Sequence, residues 1–298
     1  MKILVTGANG MLGQHLVKLL LERGYTVIAT GKGPCRLPFG ESENFRYVSA
    51  DLVNGFALHE TFETEKPEVV IHAAAMTQVD ECETDPEKCH EVNVLATAHL
   101  VSEAEVCDSF FIYISTDFVF DGEKGDYREE DSQLPLSWYG NTKMVAESIV
   151  QTSNLSWSIV RTCLVFGNPV TGTRPNIITW VKNNLQEGKP IKVVSDQVRT
   201  PTYVEDLAKG IALVLEKRAG GVFHISGKDK LTPFDMAIAT ARLLLLDEQL
   251  IEKVDASVFS QPGRRPLKTG FDITKARQEL GFDPLSFAVG LKRTLGVY

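Results

Sequence analysis

Lys2-Ile-Leu-Val-Thr6 runs straight into Gly7-Ala-Asn-Gly-Met-Leu-Gly13, and this passage decides the fold. Four aliphatic and β-branched residues in a row, Ile3 to Thr6, read as a buried strand. Gly7, Gly10 and Gly13 follow at three-residue spacing, and Leu12, Leu16, Leu19 and Leu20 then share one helical face until Gly24 can stop the helix. Such a strand–turn–helix passage suits a dinucleotide pyrophosphate. The glycines permit a tight turn and close backbone approach, and the helix start presents free N–H groups. Gly7, Asn9, Gly10, Met11, Leu12 and Gly13 are therefore candidate cofactor contacts.

Outward from this turn, residues 25–30, 45–49, 68–72, 110–115 and 157–162 read as further strands. Helical stretches at 56–64, 87–105 and 137–151 separate them. The runs 68–72 and 110–115 are apolar in the way that a parallel sheet covered on both faces requires. This alternation predicts an α/β Rossmann-type doubly wound parallel sheet, with ligands at the carboxyl ends of the strands. After Gly167 the rhythm loosens, with helices expected at 176–187, 204–217, 232–245 and 273–280 and strands at 191–194 and 222–226. The expected organisation is a dinucleotide-binding domain over 1–167, joined by about 201–226 returning to the sheet. A smaller mixed α/β substrate-binding lobe would come from about 168–200 and 227–298.

Bulk properties narrow the function. Of 298 residues, 43% are apolar and 23% charged, as in a soluble globular protein. A net charge of −8 speaks against sequence-independent nucleic-acid binding. No apolar run approaches the roughly 18 residues needed to span a bilayer. The first strand begins at Lys2, so no signal peptide is expected and a cytoplasmic location follows. Five cysteines with no Cys-x-x-Cys pair read as reduced thiols, not as a metal site. Cys163 has no sequence-local His or Lys to activate it as a nucleophile. The acidic run Glu129-Glu130-Asp131 reads as a solvated loop, not as a cation site.

The chemistry is carried by Ser137-Trp-Tyr-Gly-Asn-Thr-Lys143. At helical spacing Tyr139 and Lys143 share one face, so the phenol and the ammonium can point into one cleft. Thr116 ends the strand at 110–115 and can hydrogen-bond a carbonyl while orienting the phenol. Lys143 is expected to stabilise the tyrosinate, lowering a phenol pKa that starts near 10, and to hold the nicotinamide ribose. At the end of the second strand the chain reads Ala29-Thr-Gly-Lys-Gly33, with Arg36 nearby and no carboxylate. Lys32 therefore favours NADP(H) over NAD(H), because a base there suits a 2′-phosphate. Asp51 and Leu52, past the third strand, could touch adenine. Ala73, Ala74 and Ala75, past the fourth, leave room for a flat cofactor.

These motifs resemble the extended short-chain dehydrogenase/reductases, and more narrowly the dTDP-4-dehydrorhamnose reductases. The resemblance runs nearly end to end. It takes in the glycine turn, His72-Ala-Ala-Ala-Met-Thr-Gln-Val-Asp80, Ile114-Ser-Thr-Asp-Phe-Val-Phe-Asp-Gly122, Tyr139-Gly-Asn-Thr-Lys143, Arg161-Thr162, Asp196-Gln197, Pro201-Thr-Tyr-Val-Glu-Asp-Leu207 and Arg265-Pro266. It implies Thr116, Tyr139 and Lys143 as catalytic residues. Gly10, Met11, Leu12, Asp51, Leu52, Ala74, Ala75 and Met76 match positions that touch cofactor, and Thr116 and Asp117 match sugar contacts. Asn176, Arg199 and Arg265 resemble residues that hold a nucleotide-sugar. Three positions depart from the pattern. Leu164 stands in place of a Trp, Phe118 in place of a Tyr, and Arg199 where many members have glycine.

The implied activity is NAD(P)H-dependent reduction of a 4-keto-6-deoxy nucleotide-sugar by a protein that could form a homodimer. Nucleotide-sugar dehydratases of the superfamily carry Thr-Asp-Glu; Phe118 in the Glu position speaks against dehydration. An epimerase that retains its cofactor and a non-catalytic NADP-binding regulatory subunit are the alternatives.

Overall fold

Among the residues that the computed structural model describes, 1–172 and 175–297, eleven strands and ten α-helices follow one another. The first half contains β1 (Lys2–Thr6), α1 (Met11–Glu22), β2 (Thr26–Gly31), β3 (Phe45–Ser49), α2 (Gly55–Glu65) and β4 (Val69–His72). Next come α3 (Val79–Thr84), α4 (Pro86–His90), α5 (Ala96–Val106), β5 (Phe110–Thr116), α6 (Trp138–Thr152) and β6 (Trp157–Thr162). The second half holds β7 (Val165–Phe166), α7 (Ile177–Gln186), β8 (Ile191–Val194), β9 (Thr202–Tyr203), α8 (Val204–Lys217) and β10 (Gly221–His224). It closes with α9 (Pro233–Leu243), β11 (Ile251–Val254) and α10 (Phe287–Leu295).

Seven strands form one parallel sheet in the order β10-β6-β5-β4-β1-β2-β3. The chain moves outward from β1 through β2 to β3, then returns to the other side of β1 as β4. That reversal makes a crevice at the carboxyl ends of β1 and β4, where Thr6 is in register with His72. Alternate strand residues feed two apolar layers. Val5, Val27, Ile71, Ile112, Val160 and Phe223 lie with α1 and α8, while Leu4, Ile28, Val70, Phe111 and Ile159 lie with α2, α5 and α6. Each such fully buried side chain contributes roughly 1.5–3 kcal/mol relative to exposure.

The run 87–105 is not one helix. It comprises α4, a wide π-turn at Glu91–Leu95 and α5, and the widened turn brings Asn93 to the inside. Five named elements escape the sequence reading: α3, the two-residue strands β7 and β9, β11 and α10. β11 reads Ile-Glu-Lys-Val with only its ends buried, which is too short for a period. It pairs with β8 as a separate two-stranded sheet, packed against α7 and α9 around Val181, Leu185, Val193 and Ala237.

Candidate active site

The glycine turn is built for close approach. Gly7 has φ +68, and a Cβ there would lie 2.8 Å from the Ala74 nitrogen; one on Gly13 would lie 2.3 Å from the Gly7 oxygen. Thr6 locks the two edges together, its Oγ1 accepting from the Ala74 amide at 3.1 Å and meeting His72 Nδ1 at 2.8 Å. Burial and the Lys143 charge hold His72 neutral, with its pKa near 3. The first turn of α1 carries no acidic residue, and its amides precede the first intrahelical acceptor. These amides, with small residues at 73–75 opposite, fit a dinucleotide pyrophosphate. Asn9 is already committed: its Nδ2 donates to Pro34 O and Tyr47 Oη, and its Oδ1 accepts from the Arg36 amide. It shapes the 31–36 loop. Lys32 Nζ bonds Asp51 Oδ2 at 2.9 Å, so the base and the acid expected at the adenosine end form one exposed pair.

β5 and α6 carry the reacting groups. Ser137 caps α6 by accepting from the Gly140 amide at 3.1 Å. Gly140 is needed because a Cβ there would lie 2.2 Å from Phe118 O, and this contact seats the first turn of α6 against the end of β5. Tyr139 sits in that turn beside the Thr116 hydroxyl, edge-on to Phe118 with ring centroids 5.8 Å apart. One turn later Lys143, 2% exposed, donates to Ile114 O at 2.7 Å and lies 4.1 Å from the Tyr113 ring centroid. The end of β5 thus brings Thr116, Tyr139 and Lys143 together.

Their electrostatics reverse one expectation. Burial pushes the Tyr139 phenol up despite Thr116, and burial lowers Lys143 from 10.5 to about 7 despite Glu147. Desolvation outweighs the pairing that the spacing suggested. A raised phenol remains protonated at neutral pH, the state that a proton donor requires. Glu147, fully buried, is held by Arg161 through Nη2–Oε2 at 2.7 Å and Nε–Oε1 at 3.0 Å. That fork anchors α6 to β6.

The expected substrate residues divide. Asn176 caps α7 through the amides of Ile178 and Thr179 and also donates to Gly167 O. Arg265 grips Asp80 with both Nη atoms, at 3.0 and 2.8 Å, and holds that carboxyl below its ordinary range. Asn176 and Arg265 line a cleft of about 600 Å³ with Gln78, Trp180, Gln197 and Phe259. Arg199 is not among its lining residues. Its guanidinium is buried and donates to Val198 O, Leu267 O, Pro266 O and Gln197 Oε1, with Nε 3.7 Å from Asp117. Asp117 accepts from Thr116, Cys163 and Thr269. Both sites are thus committed inside the fold. Glu129 is not a solvated charge either, for it accepts from the His224 amide and burial raises its pKa.

The sequence reading missed Asn93. Its Oδ1 accepts from the Met76 amide at 2.8 Å, and its Nδ2 donates to Met76 O and to Thr142 Oγ1, which donates to Tyr139 O. This knot ties the turn after β4 to the start of α6. An Asn inside an apparently continuous helix was the only available signal.

The fold and this site define an NAD(P)-dependent oxidoreductase of the extended short-chain dehydrogenase/reductase class. The chain belongs to the RmlD substrate binding domain family, which matches residues 1–298. It is 32% identical to the dTDP-4-dehydrorhamnose reductase of Aggregatibacter actinomycetemcomitans, over 98% of this chain and 97% of that protein. It is 31% identical to the methionine adenosyltransferase 2 subunit beta of Pongo abelii, over 99% of this chain and 87% of that one. The crystal structure of dTDP-4-dehydrorhamnose reductase from Bacillus anthracis in complex with NADP matches with a TM-score of 0.83 at 25% identity, over 99% of this chain and 98% of that one. Among the described residues no helix is long and apolar enough to cross a membrane.

Proposed function

We propose that this protein is a cytoplasmic reductase of a 4-keto-6-deoxy nucleotide-sugar, with NADPH preferred over NADH. The observation that carries the reading is the meeting of Thr116, Tyr139 and Lys143 at the end of β5, on the same sheet edge as the glycine turn. A reduced nicotinamide cofactor, when bound, would supply hydride to the ketone carbon. Tyr139 donates its proton to the developing alkoxide. Thr116 orients the phenol, and the Lys143 ammonium favours negative charge on it. Lys143 and the amides of Met11 and Leu12 would hold the cofactor's ribose and pyrophosphate, with Gly7, Gly10, Gly13, Ala73, Ala74, Ala75 and Met76 lining its path. Asp51 and Leu52 would flank its adenine. Lys32 supports the NADPH preference as a base at the end of β2, although Asp51 shares its charge.

Arg265 and Asn176 line the cleft that would take the nucleotide and sugar. Arg199 and Asp117 support the site from beneath, because their polar atoms are already bonded. The test is NADPH consumption against a panel of nucleotide-linked ketosugars, scored by product. Turnover of at least one 4-keto-6-deoxy sugar supports the reading, and no turnover of any of them removes it.

A second reading is a regulatory subunit, favoured by the likeness to methionine adenosyltransferase 2 subunit beta. It predicts NADPH binding without oxidation by any ketone, together with tight capture by a partner enzyme.

A further inference from the structure

Two cysteines that the mechanism does not use lie against its tyrosine. Cys82 in α3 and Cys89 in α4 are both fully buried, and with Tyr139 they form one packed cluster beside Met76, Val79 and Phe118. In an unbroken helix, residues seven apart are separated by about 10 Å of rise, and their thiols could not meet. Here Asp85 breaks the helix at φ −134, and its side chain caps α4 by accepting from the Lys88 amide. The break lets both short helices pack on α6 and puts the two cysteines in one packed cluster with Tyr139.

We propose that Cys82 and Cys89 are a reversible oxidation site, joined as a disulfide by hydrogen peroxide, and that the joined form weakens cofactor binding and distorts the Tyr139 site. The step balances. The Cys89 sulfur attacks one peroxide oxygen and the O–O bond breaks, leaving a sulfenic acid at Cys89 and one water. The Cys82 sulfur then attacks that sulfur and displaces a second water as the S–S bond forms. Both S–H bonds are lost, the sulfurs are oxidised by two electrons, and the peroxide is reduced.

Cys89 is suited to the first attack. Cys82, Thr142 and the field of Lys143 favour its thiolate, and its Sγ accepts from Asn93 Nδ2 at 3.4 Å, while Cys89 and burial push the Cys82 thiol up. The buried position ordinarily makes a thiol inert, but α3 and α4 have only six and five residues, so local opening is within reach.

The consequence follows from what the thiols touch. Cys89 Sγ lies 3.5 Å from Thr142 Oγ1 and accepts from Asn93 Nδ2 at 3.4 Å, and Cys82 Sγ donates to Met76 O at 3.6 Å. A disulfide with sulfurs about 2 Å apart removes the S–H donors and draws α3 toward α4. The Asn93 knot that holds Met76 to the start of α6 is then disturbed.

The test is peptide mapping after hydrogen peroxide, without reductant, alongside NADPH fluorescence titration. Trypsin cuts after Lys88 and so separates the two cysteines, but the second peptide also carries Cys107. The full chain carrying Cys107→Ser is therefore the reference. The expected result is one linked pair of peptides in that protein, absent in Cys89→Ser and in Cys82→Ala. NADPH affinity should fall by roughly tenfold, about 1.4 kcal/mol, and return with dithiothreitol. Unlinked cysteines after peroxide would overturn the proposal, as would a sulfinic acid on Cys89 without a link, or a link that leaves NADPH affinity unchanged. None of these readouts needs the sugar substrate, so they stand apart from the reductase assay.

Discussion

Lys143→Met should make this protein more stable and nearly inactive, and the stability gain should depend on pH. Lys143 is 2% exposed, and burial lowers its pKa from 10.5 to about 7. At about 1.4 kcal/mol per unit, holding the charged form in the fold costs roughly 5 kcal/mol at acidic pH. Methionine fills a similar volume without charge, but Ile114 O loses its donor, a loss of about 1–3 kcal/mol. The net gain is roughly 2–4 kcal/mol at pH 6.

The sign follows from proton counting. Between about pH 7 and 10.5 the unfolded chain keeps the Lys143 proton and the folded one does not. Wild-type stability therefore rises with pH across that window, and below it the full penalty applies. The variant lacks this rise. Urea unfolding of both proteins at pH 6 and pH 9 measures it, and the stability gap should close by roughly 3 kcal/mol. A variant less stable than wild type at pH 6, with a gap that stays constant to pH 9, would refute the claim that Lys143 is held charged against desolvation.

Three further outcomes are expected. Tyr139→Phe should lower turnover by orders of magnitude while NADPH titration stays near wild type; retained turnover would remove Tyr139 as proton donor. Lys32→Ala should weaken NADPH a few-fold and leave NADH unchanged. An unaltered NADPH/NADH ratio would assign Lys32 to its Asp51 pair alone. Arg161→Met should destabilise the fold by about 3–5 kcal/mol, because it strands the Glu147 carboxylate in the core. Thermal unfolding checks this, and recovery in the double variant with Glu147→Leu would show that the stranded charge was the cause.

Much of the fold is local in origin and could be read from the chain. β3, β6, β8 and α8 fall where their patterns place them, and the remaining strands of the large sheet shift by no more than two residues at an end. The elements that were missed are short or weakly patterned. α3 has one buried side chain, Cys82, in six residues, so no hydrophobic period marks it. The break at Glu91–Leu95 leaves one mark, the polar Asn93 turned inside while Leu95 is exposed, and a single polar residue does not distinguish a π-turn from an ordinary helix.

The primary structure alone determined the strand–turn–helix start, the four-residue offset of Tyr139 and Lys143, and the end of β5 at Thr116. Those features depend on backbone sterics and on side-chain periods that span a few residues. Only the tertiary structure decided which charges meet water. It buried Arg199 against the carbonyls of 266–267, brought Arg265 to Asp80 across 185 positions, seated Cys82 beside Cys89, and lowered the Lys143 pKa. Burial is a property of distant segments packing together, and desolvation follows burial, so no spacing along the chain could have carried it.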